Sequence, residues 1–338
     1  MKKALSVLVL CWSLNSCDDG DLQIEEVDFD AVGVQSCPGI EEPTETTFFF
    51  KIDEDEALLL QLAEGLLVNE TSEPGTLTST IPDASQLIYR LFSDNVSADY
   101  FCDALPPLEP TVLKENPATA GDIGITTKVD TVTATAKTYS HTIAIQNLAL
   151  VNDQGEQLTD LSVLEYGEFL TSPSNSATLS PAFSNYIDQD VAECQTPPVA
   201  GSLRLTKLIN DEYIALDVPE DEELFINMAT DTIPRSLPLT DSNIFKYIIL
   251  DTIATDVTCT ATFGEDVKSW TFASTAGNLN VETVATAPDA NGTISYVHTI
   301  TLTNIVLEGI GENAGEAPVE FAEIPLIEFG TYTTTGTE

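Results

Sequence analysis

The chain has 338 residues, with 55 acidic side chains against 12 basic ones and a formal charge of −43. Counterion release needs clustered Lys and Arg, so nucleic acid is excluded as a partner, and anionic lipid headgroups are repelled for the same reason. Hydrophobic residues still make up 43% of the chain, enough to build cores, and the length suits about two domains.

Residues 1–16 read as an export leader. Lys2 and Lys3 precede an apolar run over residues 4–12, too short to span a bilayer, and small residues follow. The end of this segment, Leu14-Asn15-Ser16-Cys17, resembles the lipobox of bacterial lipoproteins, although Asn15 departs from the small or β-branched residue usual at its place. The resemblance implies that Cys17 becomes a lipidated N-terminus, and several acyl chains on it would anchor the protein to a membrane durably. Loss of the leader leaves 10 basic against 55 acidic residues, or −45.

Residues 17–36 read as a self-repelling, solvated tether. Asp18-Asp19-Gly20-Asp21 is followed by Glu25, Glu26, Asp28 and Asp30, with no basic residue before Lys51. This pattern resembles the acidic export signal of Bacteroidetes lipoproteins, which implies an address on the outer face of the outer membrane. The whole layout is similar to uncharacterised flavobacterial surface lipoproteins, a family that implies no activity.

Cys11 leaves with the leader and Cys17 takes lipid, so Cys37, Cys102, Cys194 and Cys259 remain to be paired. Cys37 and Cys102 are 65 residues apart, and so are Cys194 and Cys259. A repeated spacing points to a repeated domain with one disulfide in each copy. The repeat extends beyond the cysteines. At an offset of 157, Gln86-Leu87-Ile88-Tyr89-Arg90 faces Asn243-Ile244-Phe245-Lys246-Tyr247, and Tyr139-Ser140-His141-Thr142-Ile143 faces Tyr296-Val297-His298-Thr299-Ile300. Elsewhere the offset drifts: Glu54-Asp55-Glu56 is matched to Glu220-Asp221-Glu222, and Glu165-Tyr166-Gly167 to Glu328-Phe329-Gly330. The copies are placed at 37–172 and 194–338, with residues 173–193, rich in Ser, Pro and Asn, as an unstructured linker.

Along the first copy, residues 56–64 have helical preferences, but the segment matched to them, 222–228, does not, so both are expected to be strands. In the second copy, Val257, Cys259, Ala261 and Phe263 alternate with threonines as in a strand. Asp289-Ala290-Asn291-Gly292 is a hairpin turn leading into a strand over 296–304, with His298 on its apolar face. Gly309-Ile310-Gly311 and Gly315 superficially suggest a dinucleotide loop, but an all-β context offers no helix to bind phosphate, so a hairpin is expected. The expected fold is all-β: two tandem β-sandwich domains of one repeated type, Ig-like in broad architecture.

His141 and His298 occupy the same place in both copies, where a satisfied core histidine is the expected role. No nucleophile or metal motif accompanies them, and no catalytic residue is assigned. Carboxylate-based hydrolysis remains open by composition alone. Asp53, Asp55, Glu220 and Asp221 are weak Ca²⁺ candidates within runs whose leading reading is a solvated loop, so Ca²⁺ is the one cofactor kept open. A glycan platform would need exposed aromatic rings, and Trp270 is the one tryptophan left after the leader. Thr131, Thr232 and Thr252 follow Asp and precede an apolar residue, which is similar to a Bacteroidetes O-glycosylation motif. The expected function is a non-enzymatic, surface-anchored lipoprotein acting in interaction or as an envelope accessory. A glycan- or Ca²⁺-binding module and an envelope hydrolase are the alternatives.

Overall fold

The structure, a computed structural model, describes residues 28–38, 43–133, 137–152, 154–160, 162–172, 183–241, 244–254, 258–260, 263–310 and 319–337. The expected leader, Cys17 and the first part of the expected tether lie outside the described residues. In chain order the first domain contains β1 (Gln35–Ser36), β2 (Phe48–Asp53), β3 (Glu56–Gln61), β4 (Leu77–Ile81), β5 (Gln86–Phe92), the one-turn helix α1 (Asp99–Cys102), β6 (Val112–Val132), β7 (Lys137–Val151), β8 (Gln157–Asp160) and β9 (Leu164–Thr171). The second contains β10 (Ala192–Glu193), β11 (Ser202–Ile209), β12 (Glu212–Pro219), β13 (Arg235–Pro238), β14 (Phe245–Leu250), β15 (Ser269–Ala285), β16 (Thr293–Ile310), β17 (Val319–Glu320) and β18 (Ile324–Thr337).

Both domains are antiparallel sandwiches with one topology. In the first, β1-β2-β3-β5 forms one layer and continues into the start of β6, where Phe92 pairs with Val112 and Ile88 with Pro117. The rest of β6 pairs with β4 and β7, and β7 pairs with β8 and β9, to form the other layer. The β6–β7 register slips between Ala118 and Asp122, an irregularity that bends β6 from one layer into the other. In the second domain, β15 turns the same corner, slipping between Ser274 and Asn278.

Alternation builds the layers. Along β6 the side chains of Ile123, Ile125, Thr127 and Val129 are buried, while Asp122 and Lys128 are exposed. Each aliphatic side chain turned inward contributes about 1.5–3 kcal/mol. Ala57, Leu58, Leu59 and Leu60 of β3 break this rule, because both faces of the strand are covered. Leu58 and Leu60 enter the inter-layer core, while Ala57 and Leu59 pack outside it with Phe50, Phe92, Val96 and the ring of Phe101, beneath the disulfide. That double burial explains a four-residue apolar run that reads as helix in isolation. Both expected bridges are present: Cys37–Cys102 and Cys194–Cys259, with Cα–Cα distances of 5.2 and 5.5 Å.

Four sequence expectations are corrected. Residues 28–36 are not free tether: Phe29 is fully buried against Tyr89, Val32 and Val34 pack on the same core, and β1 pairs with β2. Likewise the described end of the linker is folded, since Phe183 and Tyr186 of the 3₁₀ turn Phe183–Tyr186 insert into the second core. The structural counterpart of β3 is β12, not 222–228, and the turn at Glu54 corresponds to Asn210, both with positive φ (53° and 45°). The 222–228 segment has no strand; it starts in the 3₁₀ turn Glu220–Glu222 and continues as loop. Finally, residues 258–260 are turn rather than strand. The Arg204 guanidinium donates to the carbonyls of Thr258 and Thr260 (3.1 and 3.2 Å), and Cys259 is tied to Cys194, so these groups are not free for a ladder. The Asn291-Gly292 hairpin forms as expected, with Asp289 Oδ1 accepting from the backbone N–H of Asn291 and Thr293. Gly309 and Ile310 end β16, which pairs with β17 beyond them.

Candidate functional site

The two histidines sit at the centre of one hydrogen-bond network built twice. His141 is completely buried; its Nδ1 lies 2.9 Å from Thr127 Oγ1 and its Nε2 2.8 Å from Thr171 Oγ1. Thr171 donates onward to Asn69 Oδ1, and the backbone N–H of Thr127 donates to Ser72 Oγ. In the second copy, His298 meets Thr283 (2.8 Å) and Thr334 (2.9 Å), Thr334 donates to Asn227, and the N–H of Thr283 donates to Thr230. Asn227 and Thr230 lie in the 224–230 loop, so that segment is matched in structure by 66–72 of the first copy.

These bonds set the tautomer. Asn69 Oδ1 only accepts, so the hydroxyl proton of Thr171 points there and its oxygen accepts from Nε2–H. Nδ1 therefore carries the lone pair and accepts from Thr127. The neutral ring is fully satisfied. Burial pushes the His141 pKa down to about 4, and burial followed by the Arg235 charge lowers that of His298. A buried base with both nitrogens engaged has no free lone pair for a substrate. What the network does is join β6, β7, β9 and the 69–72 loop in one copy and their equivalents in the other.

The second polar cluster is the joint between domains. Lys137, at the start of β7, reaches across to the β11–β12 turn, pairing with Asp211 and lying 3.7 Å from Glu212. Tyr247 donates to Glu212, the ammonium stands 5.1 Å from the Tyr139 ring centre, and Thr71 donates to Asn210 at 2.9 Å. Around these groups Val129, Val132 and Tyr139 of the first domain complete the apolar core of the second. Burial raises both carboxylate pKa values against the pull of Lys137. Burial alone would lower Lys137, but Glu212 and Asp211 together hold it above its usual value. Two carboxylates thus share one buried cation.

A third feature recurs in both copies. Lys51 and Lys207 are buried at equivalent places on β2 and β11, next to Asp28 and Asp30 in one copy and Asp188 and Asp190 in the other. Val34 and Val191 of the preceding segments press on Gly167 and Gly330. These contacts pin each incoming segment to its domain.

The remaining expected residues are dispersed. Asp53 and Asp55 lie at the β2–β3 turn, whereas Glu220 and Asp221 lie at the opposite end of the strand equivalent to β3. Their recurrence in both copies, the ground for weighing Ca²⁺, therefore does not hold. Among the described residues, no three His, Cys, Asp or Glu side chains converge as metal ligands. Trp270 is buried in the second core, not displayed as a sugar platform. Thr131 and Thr232 are exposed and Thr252 is half-buried. A small cavity of about 170 Å³ is lined by Leu203, Val218, Glu220, Glu223, Leu224 and Phe225. No family model, curated protein or solved structure matches the chain.

The joint was invisible to sequence reasoning. Its one signal is scarcity: in a chain with 12 basic residues, Lys51, Arg204 and Lys207 are buried and Lys137 nearly so. Among the described residues no helix is long and apolar enough to cross a membrane.

Proposed function

We propose that the chain is a non-enzymatic lipoprotein, anchored through Cys17 to the outer membrane and displayed at the cell surface, where it acts by binding. The observation that carries this reading is the state of the two histidines. Both rings are neutral, buried and bonded at each nitrogen, so the groups best suited to acid–base work near pH 7 are spent on holding strands together. The lipobox-like Leu14-Asn15-Ser16-Cys17 and the acidic residues after it supply the address. The shared core and the buried Lys137 joint support a single two-domain body that presents a fixed surface to its surroundings. Its charge keeps that body soluble and away from other anionic surfaces.

Fractionation of cells producing the Cys17→Ala variant tests the anchor. The wild-type chain is expected with membranes and the variant in the soluble fraction. Continued membrane retention of the variant would overturn the reading.

A further inference from the structure

The Lys137 cluster holds the parts of a condensation reaction as well as those of an ion pair. An amine, a carboxyl group that can acylate it and a second carboxyl group that can carry protons lie together, screened from water. The side chains of Lys137, Asp211 and Glu212 are 11%, 5% and 19% exposed. Lys137 Nζ touches Asp211 Oδ2, yet the contact lacks hydrogen-bond geometry, and that buried oxygen accepts no hydrogen bond from any other group. Glu212 Oε2 stands 3.7 Å from the same nitrogen and accepts from the Tyr247 hydroxyl, and the Tyr139 ring centre lies 5.1 Å from the nitrogen. A buried carboxylate oxygen in contact with an ammonium, but not bonded by it, is a poorly satisfied group in a dry site. The lysine belongs to the joint and not to the repeat: at the offset of 157, Ile294 stands in its place in the second copy.

We propose that Lys137 and Asp211 condense into an isopeptide bond that joins the two domains covalently, with Glu212 as the proton carrier. Glu212 takes one proton from the ammonium and passes it to an Asp211 carboxyl oxygen. The freed Nζ lone pair attacks Asp211 Cγ, and a second Nζ proton follows the same route. The Cγ–O bond then breaks, water leaves with both protons, and Glu212 is a carboxylate again. Nothing is oxidised or reduced. No activating co-reactant is needed, because the fold holds the groups in contact and they do not have to meet from solution. Glu212 and Asp211 hold the Lys137 ammonium above its usual pKa, so its proton must pass to a carboxylate inside the cluster and not to bulk water. Burial raises the pKa of both carboxylates, which makes them better acceptors for it. Burial also drives the reaction: an ammonium and a carboxylate, both costly to keep out of water, become one neutral amide. Lys137→Met removes bond and charge together and still leaves both carboxylates buried, so its cost still grows as pH rises.

Peptide mapping of the full chain, purified from cells that produce it, tests the bond. After denaturation, reduction and trypsin, the expected product joins residues 129–204 to residues 208–235, uncut after Lys137 and lighter than the two peptides by one water. Fragmentation should place the link between Lys137 and Asp211. Glu212→Gln keeps both reacting groups and should leave the chain mostly unlinked, while the Cys194–Cys259 bridge still forms and marks the domain as folded. Free residues 129–137 in the wild-type digest, a link from Lys137 to Glu212, or linking as complete in Glu212→Gln as in wild type would each overturn the proposal. None of these outcomes alters whether Cys17→Ala releases the protein from membranes, so the two readings fail separately.

Discussion

Replacing Lys137 with Met removes the single cation from the joint while keeping most of the side-chain volume. Its side chain is 11% exposed and that of Asp211 5%, so water screens the cluster poorly. At an effective dielectric of about 20, a charge 3.7 Å away, the separation from Glu212, contributes roughly 4–5 kcal/mol, and Asp211 is closer still. Removing the lysine also removes its own desolvation cost, so the net loss expected for leaving buried carboxylates unpaired is about 3–5 kcal/mol. The pH dependence gives the sharper test. Asp211 and Glu212 already have folded pKa values raised above their unfolded ones, mainly by burial, and loss of Lys137 raises them further. A group with a raised folded pKa gives stability that is present at low pH and lost as pH rises through that pKa. The gap between wild type and Lys137→Met should therefore be largest near pH 8 and shrink toward pH 4. Urea unfolding followed by intrinsic fluorescence across that range measures it, and the variant should also show the two domains unfolding in separate steps. A gap below about 1 kcal/mol that does not change with pH would refute an electrostatic joint.

Three further outcomes follow from the packing. Wild-type stability should fall as pH drops from the 6.5 of a free histidine toward the value of about 4 held by His141, because the unfolded chain takes up a proton that the folded ring refuses; His141→Gln should flatten that part of the profile in pH-dependent thermal melts. Cys37→Ser should cost about 4 kcal/mol from the 65-residue loop, and alkylation of the native wild type without reductant should label neither Cys37 nor Cys102. Gly167 has φ +138°, and a Cβ there would meet Val34 Cγ2 at 2.5 Å, so Gly167→Ala should destabilise by about 1–3 kcal/mol; Val34→Ala added to it should recover the clash but not the backbone strain, read as non-additivity in a double-mutant cycle.

Much of the architecture was legible in the sequence. Equal cysteine spacing gave the bridges, and the 139–148 and 296–305 repeats gave paired strands with a histidine facing inward. Residues 56–61 were read correctly as strand but through the wrong partner. What the two copies share at that turn is a left-handed residue followed by Asp-Glu, but the left-handed residue is acidic in Glu54-Asp55-Glu56 and neutral in Asn210-Asp211-Glu212. Matching by charge therefore led to Glu220-Asp221-Glu222, one strand too far along. The alternating Val257, Cys259 and Phe263 read as a strand because periodicity is blind to a disulfide and an arginine that engage the same backbone. Phe29, Phe183 and Tyr186 were hidden by polar neighbours, since a few buried rings can fasten a segment whose average composition is that of a solvated loop. Lys137 and Asp211 are far apart in the chain, and nothing local marks either as buried.

The central claim is that a lipid on Cys17 displays this body outside the cell. Treating intact cells with a protease that cannot cross the outer membrane tests it directly. The account predicts release of fragments from within residues 28–338 while a periplasmic control protein stays intact. Full protection of the chain until the outer membrane is breached would contradict it.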